Sequence, residues 1–109
     1  MNAATFLDIC ATADVPEGAV VAFEARGRSF LDCNAGGNFY AIADRCTHAA
    51  WSLAGSDLVG CEIVCGLHGG HFDLRTGEAT TPPANKPIRT FAVRTRGDRI
   101  EVRVTSPPR

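Results

Sequence analysis

Cys46-Thr47-His48 and Cys65-Gly66-Leu67-His68, sixteen residues apart, decide how this chain is read. Each cluster brings one thiol and one imidazole together at short spacing, and two such clusters supply two sulfur and two nitrogen donors. Side chains of these types in repeated close pairs are a metal-binding pattern. A single C-x-H would be weak; the pair, followed by Gly69-Gly70-His71-Phe72-Asp73, is specific.

Two metal centres suit this donor set. Zn²⁺ accepts Cys₂His₂ tetrahedrally, but compact zinc fingers place close pairs beside a short helix, which this spacing does not provide. A [2Fe–2S] centre with mixed ligation needs two cysteines on one iron and two histidines on the other, and that matches the four residues. Visible absorption, which zinc lacks, separates the two.

Working outward, strand signals recur at short intervals and are broken by turn residues, the pattern of an all-β domain with no helix of ordinary length. Ala19-Val20-Val21-Ala22-Phe23-Glu24 and Ser29-Phe30-Leu31-Asp32-Cys33 flank Arg26-Gly27. Asn34-Ala35-Gly36-Gly37 then turns the chain into Phe39-Tyr40-Ala41-Ile42, so an antiparallel meander is expected. Towards the C-terminus Arg89, Phe91 and Val93 alternate with polar or small residues, and Gly97-Asp98 marks a hairpin. Ile100, Val102 and Val104 form the apolar face of a last strand, ahead of a frayed Ser106-Pro107-Pro108-Arg109.

Between these β-rich parts, residues from about 45 to 83 hold all three histidines, Trp51 and both ligand clusters. Turns are expected at Ala54-Gly55-Ser56-Asp57, at Val59-Gly60 and at Thr76-Gly77. The expectation is one domain, with a base from residues 1–44 and 84–109 and an inserted subdomain over 45–83.

Composition narrows the role. The 109 residues suffice for one core but not for a catalytic domain beside a cofactor domain. Eleven Lys plus Arg against twelve Asp plus Glu leave a formal charge of −1, so no basic field attracts nucleic acid or an anionic membrane. No apolar run approaches the roughly 20 residues that span a bilayer, and the N-terminus lacks an export pattern, so a cytoplasmic protein is expected.

In a reducing compartment the five cysteines are better metal ligands or thiols than disulfides. Cys61 and Cys65 on one strand lie about 13 Å apart, beyond bridging distance. Cys10 and Cys33 read as two small buried thiols, with a disulfide between them the alternative.

The two clusters, the Gly-Gly-His-Phe-Asp segment, Thr76-Gly77 and Pro82-Pro83 together resemble the Rieske iron–sulfur family over nearly the whole chain. The resemblance implies the Rieske fold, an antiparallel β-sandwich base carrying a small cluster-binding subdomain. It implies one [2Fe–2S] cluster with Cys46 and Cys65 on the inner iron and His48 and His68 on the outer iron, near the surface where the electron leaves. It further implies a soluble ferredoxin of a bacterial aromatic-ring-hydroxylating dioxygenase system. Such a ferredoxin is not itself an enzyme; it is a monomer that carries single electrons from a flavoprotein ferredoxin reductase to a terminal oxygenase. The alternative is a fixed Rieske subunit of a monooxygenase or other oxidoreductase complex.

Two thiolates and two neutral imidazoles leave the oxidised centre uncharged, which favours reduction relative to four thiolates. High-potential respiratory members add a serine hydroxyl toward a bridging sulfide, and Gly70 stands at that position here. A potential near the lower end of about −150 to +300 mV is therefore expected.

The neighbours read more blandly. His71 is expected to be a solvated or partner-facing imidazole rather than a ligand, Trp51 a packing residue, and Thr81-Pro82-Pro83 either a cluster-shielding loop or an ordinary rigid turn. Cys61 is expected near the cluster without ligating it. Six acidic residues against three basic ones in 1–45, and six basic against two acidic in 86–103, suggest opposed charged faces, with solvated strand faces the default.

Overall fold

A computed structural model describes residues 5–44, 53–66, 69–82 and 86–104. Among the described residues eleven strands form three antiparallel sheets. The first sheet orders β1 (Thr5–Ala11), β11 (Arg99–Val104) and β10 (Val93–Arg96). The second orders β2 (Val20–Ala25), β3 (Arg28–Ala35), β4 (Asn38–Ala43) and β9 (Thr90–Phe91). The third runs β5 (Leu58–Val59), β6 (Glu62–Val64), β7 (His71–Asp73) and β8 (Ala79–Thr81). The only helical segment among the described residues is a 3₁₀ turn at Thr12–Asp14.

The expected meander is β2-β3-β4, and its turns follow from backbone chemistry. Arg26 and Gly27 both take positive φ, 54° and 74°, as do Gly36 and Gly37, at 64° and 92°. Two consecutive left-handed residues match the twist of a two-residue hairpin. The second turn is tighter than the sequence suggested, because Asn34 and Ala35 stay in β3 and pair with Phe39 and Asn38. Asn34 is buried and useful there: its amide donates to the Val15 carbonyl at 2.9 Å and accepts from the Gly37 N–H at 2.9 Å.

β3 is the spine of the molecule. Successive side chains of a strand point to opposite faces, and in β3 both faces are buried. Leu31 and Cys33 enter one core with Ile42, Leu53, Ile63, Cys65, Phe72, Leu74 and Ile88. Phe30 enters another with Cys10, Val15, Ala41, Ile100 and Val102. The second sheet therefore lies between the first sheet and the third. One of its faces carries the core that contains Cys65.

Two findings were not anticipated. Residues 5–11 form β1, whose partner β11 lies at the far end of the chain, with Thr5 opposite Val104. The stretch through Phe91 and Val93 is not one strand: it breaks at Ala92, so β9 pairs with β4 while β10 pairs with β11. The Ala92 carbonyl accepts the Arg103 N–H at 2.9 Å at this change of sheet. The Gly97-Asp98 hairpin is as expected, and Ile100 and Val102 are fully buried. The expected fraying at 106–109 lies outside the described residues.

Candidate metal centre

Of the four expected ligands, Cys65 is described; Cys46, His48 and His68 lie outside the described residues, as does Trp51. Cys65 is 1% exposed and sits where β6 leaves the third sheet. Val64 pairs with His71, and one step further the Cys65 N–H donates to the Gly70 carbonyl at 2.7 Å. The Gly69 N–H donates back to the Cys65 carbonyl at 2.9 Å. Gly69 has φ 78°, a conformation that costs glycine little. The backbone of Cys65 is thus fixed through both its N–H and its carbonyl, and its thiol stays in the core with Leu53, Ile63 and Phe72.

The first ligand segment is closed differently. Asp44 ends the meander, and its Oδ1 accepts the Leu53 N–H at 2.9 Å across the intervening residues 45–52. Leu53 is fully buried in the core that holds Cys65. Its carbonyl accepts the Ser56 N–H at 3.1 Å in a turn that uses Gly55 at φ 76°. Leu53, where the described chain resumes, and Cys65 therefore share one core.

Gly77, in the turn between β7 and β8, lies against Ile88. Its carbonyl accepts the Ile88 N–H at 2.7 Å, and a Cβ on Gly77 would lie 2.1 Å from the Ile88 carbonyl oxygen. Only glycine permits that approach. The Asp44–Leu53 bond and the Gly77–Ile88 contact escaped the sequence reading, although Gly77 was read as a turn and Asp44 stands two residues before Cys46.

His71, expected as a solvated or partner-facing imidazole, is partly exposed and meets Glu62. Its Nδ1 lies 2.9 Å from Glu62 Oε1, the two side chains being 25% and 33% exposed. The bond to His71, and next one to Thr80, hold the Glu62 carboxyl below its usual range. Asp73 is likewise lowered by its bonds to Arg75. Cys61 is half-buried against the same core as Cys65, and its hydrogen bond with Tyr40 pushes the phenol up. Cys10, Cys33, Cys61 and Cys65 are all free thiols. Thr81 ends β8 and Pro82 is exposed, while Pro83 lies outside the described residues. Among the described residues no three metal-ligating side chains gather elsewhere.

A buried thiol on a rigid hairpin, with glycines beside it and a histidine three residues on in sequence, fits an iron–sulfur centre; a soft, dehydrated sulfur donor is what such a cluster takes. The model for the Rieske [2Fe-2S] domain matches residues 5–92. The chain belongs to the Rieske [2Fe–2S] domain family. Its cofactor is one Rieske-type [2Fe–2S] cluster.

A relative from Rhodococcus jostii (strain RHA1), the ferredoxin component of biphenyl 2,3-dioxygenase, is 40% identical over 94 residues, covering 86% of this chain and 88% of that protein. The ferredoxin of carbazole 1,9a-dioxygenase from Nocardioides aromaticivorans IC177 superimposes with a TM-score of 0.85 at 31% identity, over 95% of this chain and 99% of that one. A chain from a complex of reduced oxygenase and oxidised ferredoxin in carbazole 1,9a-dioxygenase gives 0.86 at 30% identity, over 95% and 97%. The all-β Rieske architecture expected from the sequence is the one observed. Among the described residues no helix is long and apolar enough to cross a membrane.

Proposed function

We propose that this Rieske protein is a diffusible electron carrier. It takes single electrons from an NAD(P)H-dependent flavoprotein reductase and delivers them to the terminal oxygenase of an aromatic-ring-hydroxylating dioxygenase system. The observation that carries the reading is end-to-end likeness to separate ferredoxins of such systems, in sequence to the biphenyl component and in fold to the carbazole one.

In this reading Cys46 and Cys65 hold one iron, and His48 and His68 hold the other. The cluster, when bound, supplies a reversible one-electron couple. The chain's own residues do the rest. The Cys65–Gly70 bond holds Cys65 in the core, the Asp44–Leu53 bond joins the residues on either side of 45–52, and Leu53, Ile63 and Phe72 keep the Cys65 thiol from water. Residues 1–44 and 84–109 act as the base and 45–83 as the cluster-binding subdomain. The chain performs no chemistry on substrate, works as a cytoplasmic monomer, and meets both partners through short-lived contacts.

The test is anaerobic reconstitution with iron and sulfide, then electron delivery in a mixture of NADH, a biphenyl dioxygenase reductase and its oxygenase. The expected result is a rhombic reduced-state EPR signal, a potential below zero, and NADH oxidation that depends on this chain. A loaded protein with a potential well above zero, or one that forms a stable stoichiometric complex on gel filtration, would favour the fixed-subunit alternative.

A further inference from the structure

The chain changes sheets at Ala92, and the change leaves an opening with hydrogen-bonding backbone on both walls. Along β4 the Ala43 N–H donates to the Arg89 carbonyl, and pairing with β9 ends at Ala41–Phe91. Bonding residues alternate along an antiparallel strand, so the N–H and C=O of Phe39 face the same side as those of Ala41 and Ala43. Continued in that register, β9 would bring Val93 opposite Phe39. Instead the chain crosses to β11, where the Ala92 carbonyl accepts the Arg103 N–H and Arg94 lies opposite Glu101. By the same alternation the N–H and C=O of Val93 and Thr95 face away from β11. Between the two diverging edges lies a groove of about 450 Å³, with Phe39 and Tyr40 on one wall and Val93, Arg94 and Thr95 on the other.

We propose that this groove is a docking site for an extended, acidic segment of a protein partner, which adds as a strand to the outer edge of β10. The backbone of such a strand would meet the N–H and C=O groups of Val93 and Thr95 that β11 does not use. The side chains set its pattern. Val93 packs with Phe39 and Phe91 on the core between the first and second sheets, so positions opposite Val93 and Thr95 suit apolar side chains. Arg94 and Arg96 lie on the other face of β10 and are exposed, so positions opposite them suit carboxylates. The described lining of the groove includes Arg94 and no acid. Arg94 is also held in place, 2.6 Å from Glu101 and with its guanidinium over the Phe6 ring. A second copy of β10 is a poorer occupant: paired antiparallel about Thr95 it would set Arg94 opposite Arg96, and like charges there oppose pairing. The groove opens at the start of β4, whereas Asp44 follows the end of that strand, five residues or about 17 Å beyond Phe39. Docking here is a contact apart from the end of β4 that leads toward Cys46.

The test titrates isotope-labelled holoprotein with a capped hexapeptide of alternating valine and glutamate, and separately with its valine–lysine counterpart, while backbone amide signals are followed by NMR. The signals of Phe39, Val93 and Thr95 should move with the glutamate peptide and stay in place with the lysine peptide. Thr95→Pro removes an outward N–H, and proline is tolerated on an edge strand at such a position. That variant should keep the wild-type melting temperature and bind the glutamate peptide about ten-fold more weakly. Arg96→Glu should weaken the same peptide about five-fold and covers the case in which the proline variant does not fold. Wild-type signals that do not move, that move equally with both peptides, or that move only elsewhere on the surface overturn the docking site. A folded Thr95→Pro protein that binds as the wild type does overturns strand addition. Movement of the same signals when the protein alone is concentrated assigns the groove to a second copy and overturns the acidic partner. None of these outcomes bears on the cluster or on the electron-carrier reading.

Discussion

The Cys10 thiol points at the Asp32 carboxylate, with Sγ 3.8 Å from Oδ2, inside the core between the first and second sheets. Asp32 is fully buried on β3, and its other oxygen has no partner among the described residues. Burial pushes the carboxyl up to about 7, only partly offset by the thiol hydrogen bond. Burial and the neighbouring carboxyl push the Cys10 thiol to about 12, so it remains a protonated donor. An apolar core that encloses a carboxyl prefers the acid form.

This gives a pH dependence of defined sign. The folded-state value of Asp32 lies above the unfolded value of 3.8, so the stabilisation is complete below about pH 4 and is lost as pH rises through 7. For that shift the contribution falls by about 3 kcal/mol between pH 5 and pH 8. Urea unfolding across this range should show wild-type stability declining with pH, and Asp32→Asn should flatten the decline. A wild-type curve that is level from pH 5 to 8 would mean the carboxyl is ionised throughout.

Gly77 and Gly97 form a matched pair, since both have positive φ, 82° and 60°, but only Gly77 faces a backbone oxygen. At Gly97 an added Cβ meets nothing within 4 Å, and Gly97→Ala should cost about 1 kcal/mol from the backbone alone. At Gly77 the Cβ would force Ile88 away and break the 2.7 Å bond from the Ile88 N–H. Gly77→Ala should cost about 3 kcal/mol or more, read by denaturant midpoint. Equal costs at the two sites would show that the Ile88 contact yields freely.

The contrast between these glycines marks where sequence stops being informative. Arg26-Gly27 and Gly36-Gly37 were readable as turns because the needed conformation is local to two residues. Gly77 was readable as a turn for the same reason, but its contact with Ile88 depends on a segment eleven residues away and was not. Strand β1 lacked a clear signal because its partner β11 is the last strand of the chain, a non-local pairing. The break at Ala92 was hidden because β9 and β10 keep the same alternation while belonging to different sheets. The family and its cluster were legible outright, since the donor types and their spacing are written in residue identity. Asp44 was not, because any carboxylate before a turn looks alike until the amide it holds is placed.

Phe72 is the largest fully buried side chain in the core that holds Cys65, and it lies opposite Ile63. Phe72→Ala should destabilise the protein by about 3–5 kcal/mol through lost burial and the cavity left behind. That is a large fraction of the roughly 5–15 kcal/mol that holds a domain of this kind together. Thermal melts of the holoprotein should show a lowered transition. Because the cavity adjoins Cys65, loss of the visible chromophore should begin below the unfolding temperature; coincident transitions would place the two events in one cooperative unit.

The five cysteines should divide sharply when each is replaced by serine. Cys46→Ser and Cys65→Ser remove soft donors from the proposed centre, so visible absorption and the reduced-state EPR signal should be lost or strongly altered after reconstitution. Cys10, Cys33 and Cys61 form no disulfide among the described residues and stand outside the proposed ligand set, so their variants should keep both signals. They should still differ in stability. Cys33 has no exposure, and burial pushes its thiol up to about 12, so a hydroxyl placed there must find a partner in an apolar core at a cost of about 1–3 kcal/mol. Cys61 is half-buried at the edge of that core and its replacement should cost less. A Cys61→Ser variant that lost the chromophore would move the ligand set away from Cys65 and undo the pairing on which the electron-carrier reading depends.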